Sequence, residues 1–124
     1  MKKIFLFVLT LLFVGVVCAQ SGLEFDLRTH DFGSINRKDG DVSFTFMAVN
    51  KGASPVVILD AKVLCGCTTV KYPKQPIMPN DSVAVVVNFE PKTQPSGDFY
   101  KAIQIMNNSE QGRSIVTIRG SIID

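Results

Sequence analysis

An all-β fold, a single antiparallel sandwich of immunoglobulin type with about seven strands, is what this sequence predicts, on three observations. Apolar and polar residues alternate at period two in run after run, and turn residues separate the runs every 8 to 12 residues or so. No window carries the apolar repeat of an amphipathic helix. There is no tryptophan, and the two mid-chain cysteines are too close in sequence to tie one sheet to another, so Phe, Val and Ile are expected to hold the core.

Leu23, Phe25 and Leu27 alternate with Glu24, Asp26 and Arg28, and the pattern resumes at His30 and Phe32 before Gly33, giving a first strand with a break. Residues 36–41 form a turn carrying Asp39-Gly40, a pair favoured in hairpins. Val42, Phe44, Phe46 and Ala48 point one way and Ser43, Thr45 and Met47 the other, in a strand that stops at Asn50-Lys51-Gly52. Residues 56–63 are dense in β-branched side chains, which predicts a strand buried on both sides for part of its length. Pro73, Pro76, Pro79 and an Asn80-Asp81 turn exclude the next stretch from a sheet interior. Val83, Val85, Val87 and Phe89 mark the following strand. After a loop over 91–97, Phe99, Lys101, Ile103 and Ile105 alternate with Tyr100, Ala102, Gln104 and Met106. Residues 107–113 turn the chain back into a last strand over 115–123.

The first residues have the parts of a secretory signal: Lys2 and Lys3, an apolar run over 4–17, and small-residue matching at Val17-Cys18-Ala19. The run is shorter than the ~20 residues of a spanning helix, so no membrane span is expected. Cleavage after Ala19 would leave Gln20 as the mature N-terminus. The expected organisation is thus a signal peptide over 1–19, a short linker over 20–22 and one domain over 23–124. A lipid anchor on Cys18 is the alternative; the branched Val17 stands where a lipoprotein signal has a small residue. Loss of Lys2 and Lys3 brings the 13 basic residues down to the number of acidic ones, 11. A neutral mature chain without a basic patch gives no footprint for nucleic acid.

Five landmarks carry a family resemblance: His30-Asp31-Phe32-Gly33-Ser34-Ile35; Phe44-x-Phe46 running to Asn50-x-Gly52; Cys65-Gly66-Cys67-Thr68; Ile77-x-Pro79; and Gly97-x-Phe99-x-Lys101 before a strand with Gly120. In this order they resemble the bacterial family called domain of unknown function 1573, over nearly the whole mature chain. The resemblance implies a relative of the immunoglobulin-like domains of Hydin and major-sperm-protein type, which are binding and assembly modules. Where that family usually has Pro-Gly, this chain has Pro79-Asn80, and Asn also accepts a left-handed turn.

Cys65 and Cys67 are the candidate site, with Gly66 and Thr68 as motif support. In an extended strand their Cα atoms would lie about 6.6 Å apart, near the upper limit for a disulfide, so a bridge needs a bend, which Gly66 makes cheap. Closing three residues would stabilise the fold by only ~1.6 kcal/mol on the chain-entropy formula. A thiol-redox role would want a helix N-terminus or a cation beside the attacking sulfur, and Lys62 and Lys71 are the nearby cations. Zinc would need His30 and a carboxylate in addition, and Cu(I) could draw on Met47, Met78 or Met106. Asp81-Ser82-Val83 resembles an O-glycosylation signal at Ser82, and Asn80-Asp81-Ser82 and Asn107-Asn108-Ser109 fit the N-glycosylation pattern.

No nucleophile elbow, phosphate loop or zinc-binding histidine pair occurs in the sequence. The expectation is an exported module of the periplasm or cell surface that binds a protein or glycan partner without catalysis and without a cofactor. A thiol-redox or Cu(I)-handling protein centred on Cys65 and Cys67, with both sulfurs reachable from solvent, is one alternative. A structural subunit of an envelope assembly is the other.

Overall fold

Period-two alternation becomes eight strands in the computed structural model, which describes residues 22–124. They are β1 (Leu23–Phe25), β2 (Thr29–Asn36), β3 (Val42–Asn50), β4 (Ile58–Lys62), β5 (Thr68–Lys71), β6 (Ser82–Phe89), β7 (Gly97–Asn107) and β8 (Arg113–Ile123). One sheet has the order β1-β3-β6-β5 and the other β2-β8-β7-β4. Their inner faces carry the alternating residues read from the sequence in three strands, Phe46, Ala48, Val85, Val87 and Phe89 on one side and Ile103 and Ile105 on the other, joined by Val116 and Ile118 of β8, all without solvent exposure. Fully burying each large apolar side chain contributes about 1.5–3 kcal/mol, which makes this face-to-face contact the main source of stability. The expected signal peptide, the cleavage site at Ala19 and Gln20, and Cys18 lie outside the described residues.

Aromatic stacks join the sheets. Phe89 of β6 lies over Phe99 of β7, with ring centroids 4.3 Å apart and planes 11° from parallel. A Cβ on Gly120 would come within 2.9 Å of the Phe99 ring and of the Gly33 carbonyl oxygen, so only glycine fits there. At the other side of the sandwich His30 stacks on Phe44 at 3.8 Å and meets Phe32 edge-on at 4.6 Å. His30 is therefore structural through ring packing, stacked between the sheets on Phe44.

Several other local expectations change. Asp39-Gly40 does not form a hairpin: a 3-10 turn over Arg37–Asp39, with Gly40 at φ 85°, carries the chain from β2 in one sheet to β3 in the other. The first strand's break is likewise a change of sheet, and Leu27 is exposed in it. β2 pairs with β8 in parallel, the one parallel pairing of the described strands, with a bulge between Asp31 and Ser34. Gly33 takes φ 71° in that bulge and donates its N–H to the Asp31 carboxylate at 2.8 Å. β4 is an edge strand with exposed Leu59, Asp60 and Lys62, so residues 56–63 are buried on one side only. Asn80 does take the left-handed turn, at φ 71°. Asn107 is buried, with its amide bonded to the Ile105 carbonyl and the Ser109 backbone, which removes it as a glycan acceptor in the folded chain.

Arg37 ties the two sheet-crossing turns together. Its guanidinium donates to the carbonyls of Pro91, Lys92 and Gln94 at 2.8, 3.3 and 2.6 Å, to Ser96 Oγ at 3.0 Å, and to Asp124 Oδ1 at 2.6 Å. Hydrogen bonds from Arg37 and Ser96 hold the Asp124 carboxyl below its ordinary range. A carboxyl lowered in the folded state stabilises it above the unfolded pKa and loses that effect as pH falls through the folded value. Asp124→Asn should thus be slightly less stable than the parent at pH 7, with the gap closing below about pH 4 and narrowing in high salt. Urea unfolding of both proteins across pH checks this.

Candidate functional site

The corner at Cys65 exists because β4 and β5 are edge strands of different sheets on the same side of the sandwich, so residues 63–67 must cross between them. The crossing is held by main-chain bonds: Thr68 N–H donates to the Cys65 carbonyl at 3.2 Å, and Glu90 N–H donates to the Cys67 carbonyl at 2.8 Å. Thr68 then pairs with Phe89, opening the β5 ladder. Cys65 and Cys67 form a disulfide with their Cα atoms 5.1 Å apart, well inside the extended-strand separation, so the chain does bend. Gly66 makes that bend without a positive φ, and a Cβ there would meet nothing within 4 Å. The expected reliance on glycine's backbone freedom is therefore absent at this position.

The two sulfurs have unequal surroundings. Cys67 is 4% exposed and belongs to the core, with Thr68 Oγ1 at 3.5 Å from its Sγ. Cys65 is half-buried, accepts the Cys67 N–H at 3.2 Å, and lines a cleft of about 150 Å³. The condition set for a redox or copper site, two reachable sulfurs, is met by Cys65 and not by Cys67. His30 lies in its aromatic stack and Met47 on the outer face of the opposite sheet. Among the described residues no group of three or more His, Cys, Asp or Glu is placed to hold a metal ion. Ser82 is exposed at the start of β6, opposite Val49.

Two neighbours of this corner were not read from the sequence as site residues. Leu64 is 102% exposed and Tyr100 is 69% exposed, and both border the same cleft with Lys101 and Ala102. Alternation along β7 places Tyr100 outward but gives no sign that Leu64 would stand beside it. That proximity is decided by the path of the crossing.

Because main-chain bonds already hold the corner, reduction of the disulfide in the otherwise unchanged chain is expected to cost only ~1.6 kcal/mol. Urea unfolding with and without reductant, with thiols counted by mass spectrometry, checks this. A loss several times larger would show that the crossing depends on the bridge.

With the sandwich and its Cys65 corner described, residues 23–122 match the family described as "Protein of unknown function (DUF1573)". The chain belongs to that family. No curated protein matches it in sequence. Its fold is similar to the crystal structure of a protein of unknown function from Porphyromonas gingivalis W83, at 18% identity and a TM-score of 0.71, covering 88% of this chain and 50% of that one. It is also similar to the ASH / PapD-like domain 7 of human CEP192, at 10% identity and TM-score 0.66, covering 90% and 96% of the two chains. A third similar structure is WR4, a Caenorhabditis elegans MSP family member, at 10% identity and TM-score 0.54, covering 84% and 100%. This chain thus spans about half of the Porphyromonas gingivalis protein. At these identities the likeness establishes the fold alone, an immunoglobulin-like sandwich similar in shape to MSP and PapD-like domains. Among the described residues no helix is long and apolar enough to cross a membrane.

Proposed function

We propose that this DUF1573 domain is an exported immunoglobulin-like module of the bacterial envelope, in the periplasm or on the cell surface, that works by contact with a partner protein and performs no catalysis. Export is supported by Lys2, Lys3, the apolar run over 4–17 and the small-residue site at Ala19 and Gln20. The observation that carries the binding role is the pairing of exposed Leu64 with exposed Tyr100 across one cleft. Single exposed apolar residues are ordinary on any surface, whereas two large ones bordering a concavity favour a contact site. Sandwiches also present open sheet edges, to which a partner can add a strand.

The test is photo-crosslinking in a bacterium that makes the protein. A photoreactive phenylalanine at position 64 or 100 is expected to give a discrete protein adduct, and one at exposed Thr45 on the other sheet should give none. Mass spectrometry of the mature chain should find Gln20 at its N-terminus; a lipid on Cys18 would replace the soluble reading with an anchored one. Turnover of a thiol substrate that stops in Cys65→Ser would overturn the non-catalytic reading.

A further inference from the structure

β7 pairs with β8 along its length, from Gly97 opposite Ile122 to Met106 opposite Arg113. On its other side it is covered only at residues 104–107, because the chain leaves the sheet after Lys62 to make the disulfide corner. Residues 97–102 therefore form a strand edge without a partner strand among the described residues. Six residues of strand span about 20 Å, and along such an edge backbone N–H and C=O groups face outward, ready to pair with another extended chain.

Two features at this edge point to what would pair with it. The cleft of about 150 Å³ lies between the edge and the corner, with Val63, Cys65 and Thr68 on one wall and Lys101 and Ala102 on the other. A strand laid against β7 would direct every second side chain toward the sandwich interior, where this cleft has room for one aliphatic group. Lys101 shares the inward face with Phe99 and Ile103 and is half-buried, yet among the described residues its side chain has neither a carboxylate nor a hydrogen-bond partner. Its ammonium therefore has no counter-charge, and a carboxylate on an incoming strand would supply one. Asp98 is exposed on the opposite face of the strand, so an acidic group would be favoured beside Lys101 and not along the whole edge.

We infer that the edge of β7 from Gly97 to Ala102 accepts an extended peptide segment as a fifth strand beside the disulfide, with an aliphatic side chain in the cleft and a carboxylate against Lys101. This rests on the binding-module reading and assigns its site and the chemistry of its occupant. Backbone hydrogen bonds would supply affinity, while the cleft and Lys101 would supply selectivity. A lysine on a sheet edge also serves in some proteins to keep edges from pairing, and the experiment separates the two roles.

The probes are Ac-Val-Thr-Glu-Thr-Val-NH2, whose Val and Glu side chains fall on one face of an extended strand, and its Lys-for-Glu counterpart, titrated into the isotope-labelled mature chain with its disulfide intact. Amide shifts are expected at residues 97–102 and 63–68, with the acidic peptide binding about threefold tighter and Lys101→Glu reversing the order. Shifts confined to other strands, or equal binding of both peptides, would overturn the assignment. So would the absence of shifts together with self-association of Lys101→Val, which would make Lys101 an edge guard. Adducts at positions 64 and 100 with an untouched edge would leave the binding module standing and remove only this site. Absence of those adducts would remove the reading beneath it.

Discussion

Phe89→Ala is expected to destabilise the domain by about 3–5 kcal/mol, the cost of truncating a fully buried aromatic side chain. Phe89 has no exposed surface and stacks on Phe99 of the opposite sheet at 4.3 Å, so its loss opens a cavity between the layers. The residue also stands opposite Val42 on one side and Thr68 on the other, and the next N–H, of Glu90, holds the Cys67 carbonyl. The cavity therefore lies beneath the start of β5 and the disulfide corner. Calorimetry should show a melting temperature lower by roughly 15–30 °C, since each kcal/mol shifts a domain of this size by several degrees. Amide exchange should quicken first along β5. Phe89→Leu keeps most of the buried volume and should lose roughly 1–2 kcal/mol. A loss below 1 kcal/mol in Phe89→Ala would show that the sheets do not depend on this stack.

Asn50→Leu should cost about 2–4 kcal/mol for a different reason. Asn50 is fully buried, and its amide donates to the carbonyls of Ser54 and Ile77 at 2.8 Å each while accepting the Gly52 N–H at 2.9 Å. Its backbone is bonded to Asp81 and Asn80 as well, so one residue joins the ends of β3 and β6 to the Val56–Ile77 bridge. Leucine leaves the Gly52 N–H and the Ser54 carbonyl without partners, and each orphaned polar group costs about 1–3 kcal/mol. The Ile77 carbonyl keeps its bond from Val56 N–H, which limits the damage. Asn50→Asp is expected to be worse at neutral pH, because the carboxylate keeps the Gly52 N–H on one oxygen while the other, in place of Nδ2, faces the Ser54 and Ile77 carbonyl oxygens. Its deficit should shrink as acid protonates the group, which urea unfolding at pH 4 and pH 7 would reveal.

Asn50 also marks where sequence reading stops short. Asn-Lys-Gly after an apolar run reads as a turn, and the chain does turn there. That the asparagine is the buried hub of three segments depends on Ile77, 27 residues away, which local pattern does not place. β5 was missed for a related reason. Thr68–Lys71 is only four residues long and follows a cysteine motif that draws attention to itself, and it becomes a strand because β6 offers it an edge. Asp39-Gly40 misled in the opposite direction: its local preference for a tight hairpin was overridden because the neighbouring strands belong to different sheets. Val56, Val57 and Ile58 indicated burial correctly at Val56 and Ile58, while the exposure of Leu59 follows from β4 being an edge.

By itself the sequence determined the sandwich, the inward-facing residues of β3, β6 and β7, the left-handed turn at Asn80 and the family. The first three are written in alternation and turn chemistry, which act over a few residues, and the family in the five motif landmarks. The tertiary structure decided how Cys65 and Cys67 differ, since burial of one sulfur and not the other depends on which sheet each flanking strand joins. It also decided that Leu64, Tyr100 and Lys101 share one cleft, and that β7 is left uncovered from Gly97 to Ala102. Strand register and the point where β4 leaves its neighbour are set by contacts between residues some forty positions apart, and no local pattern encodes them.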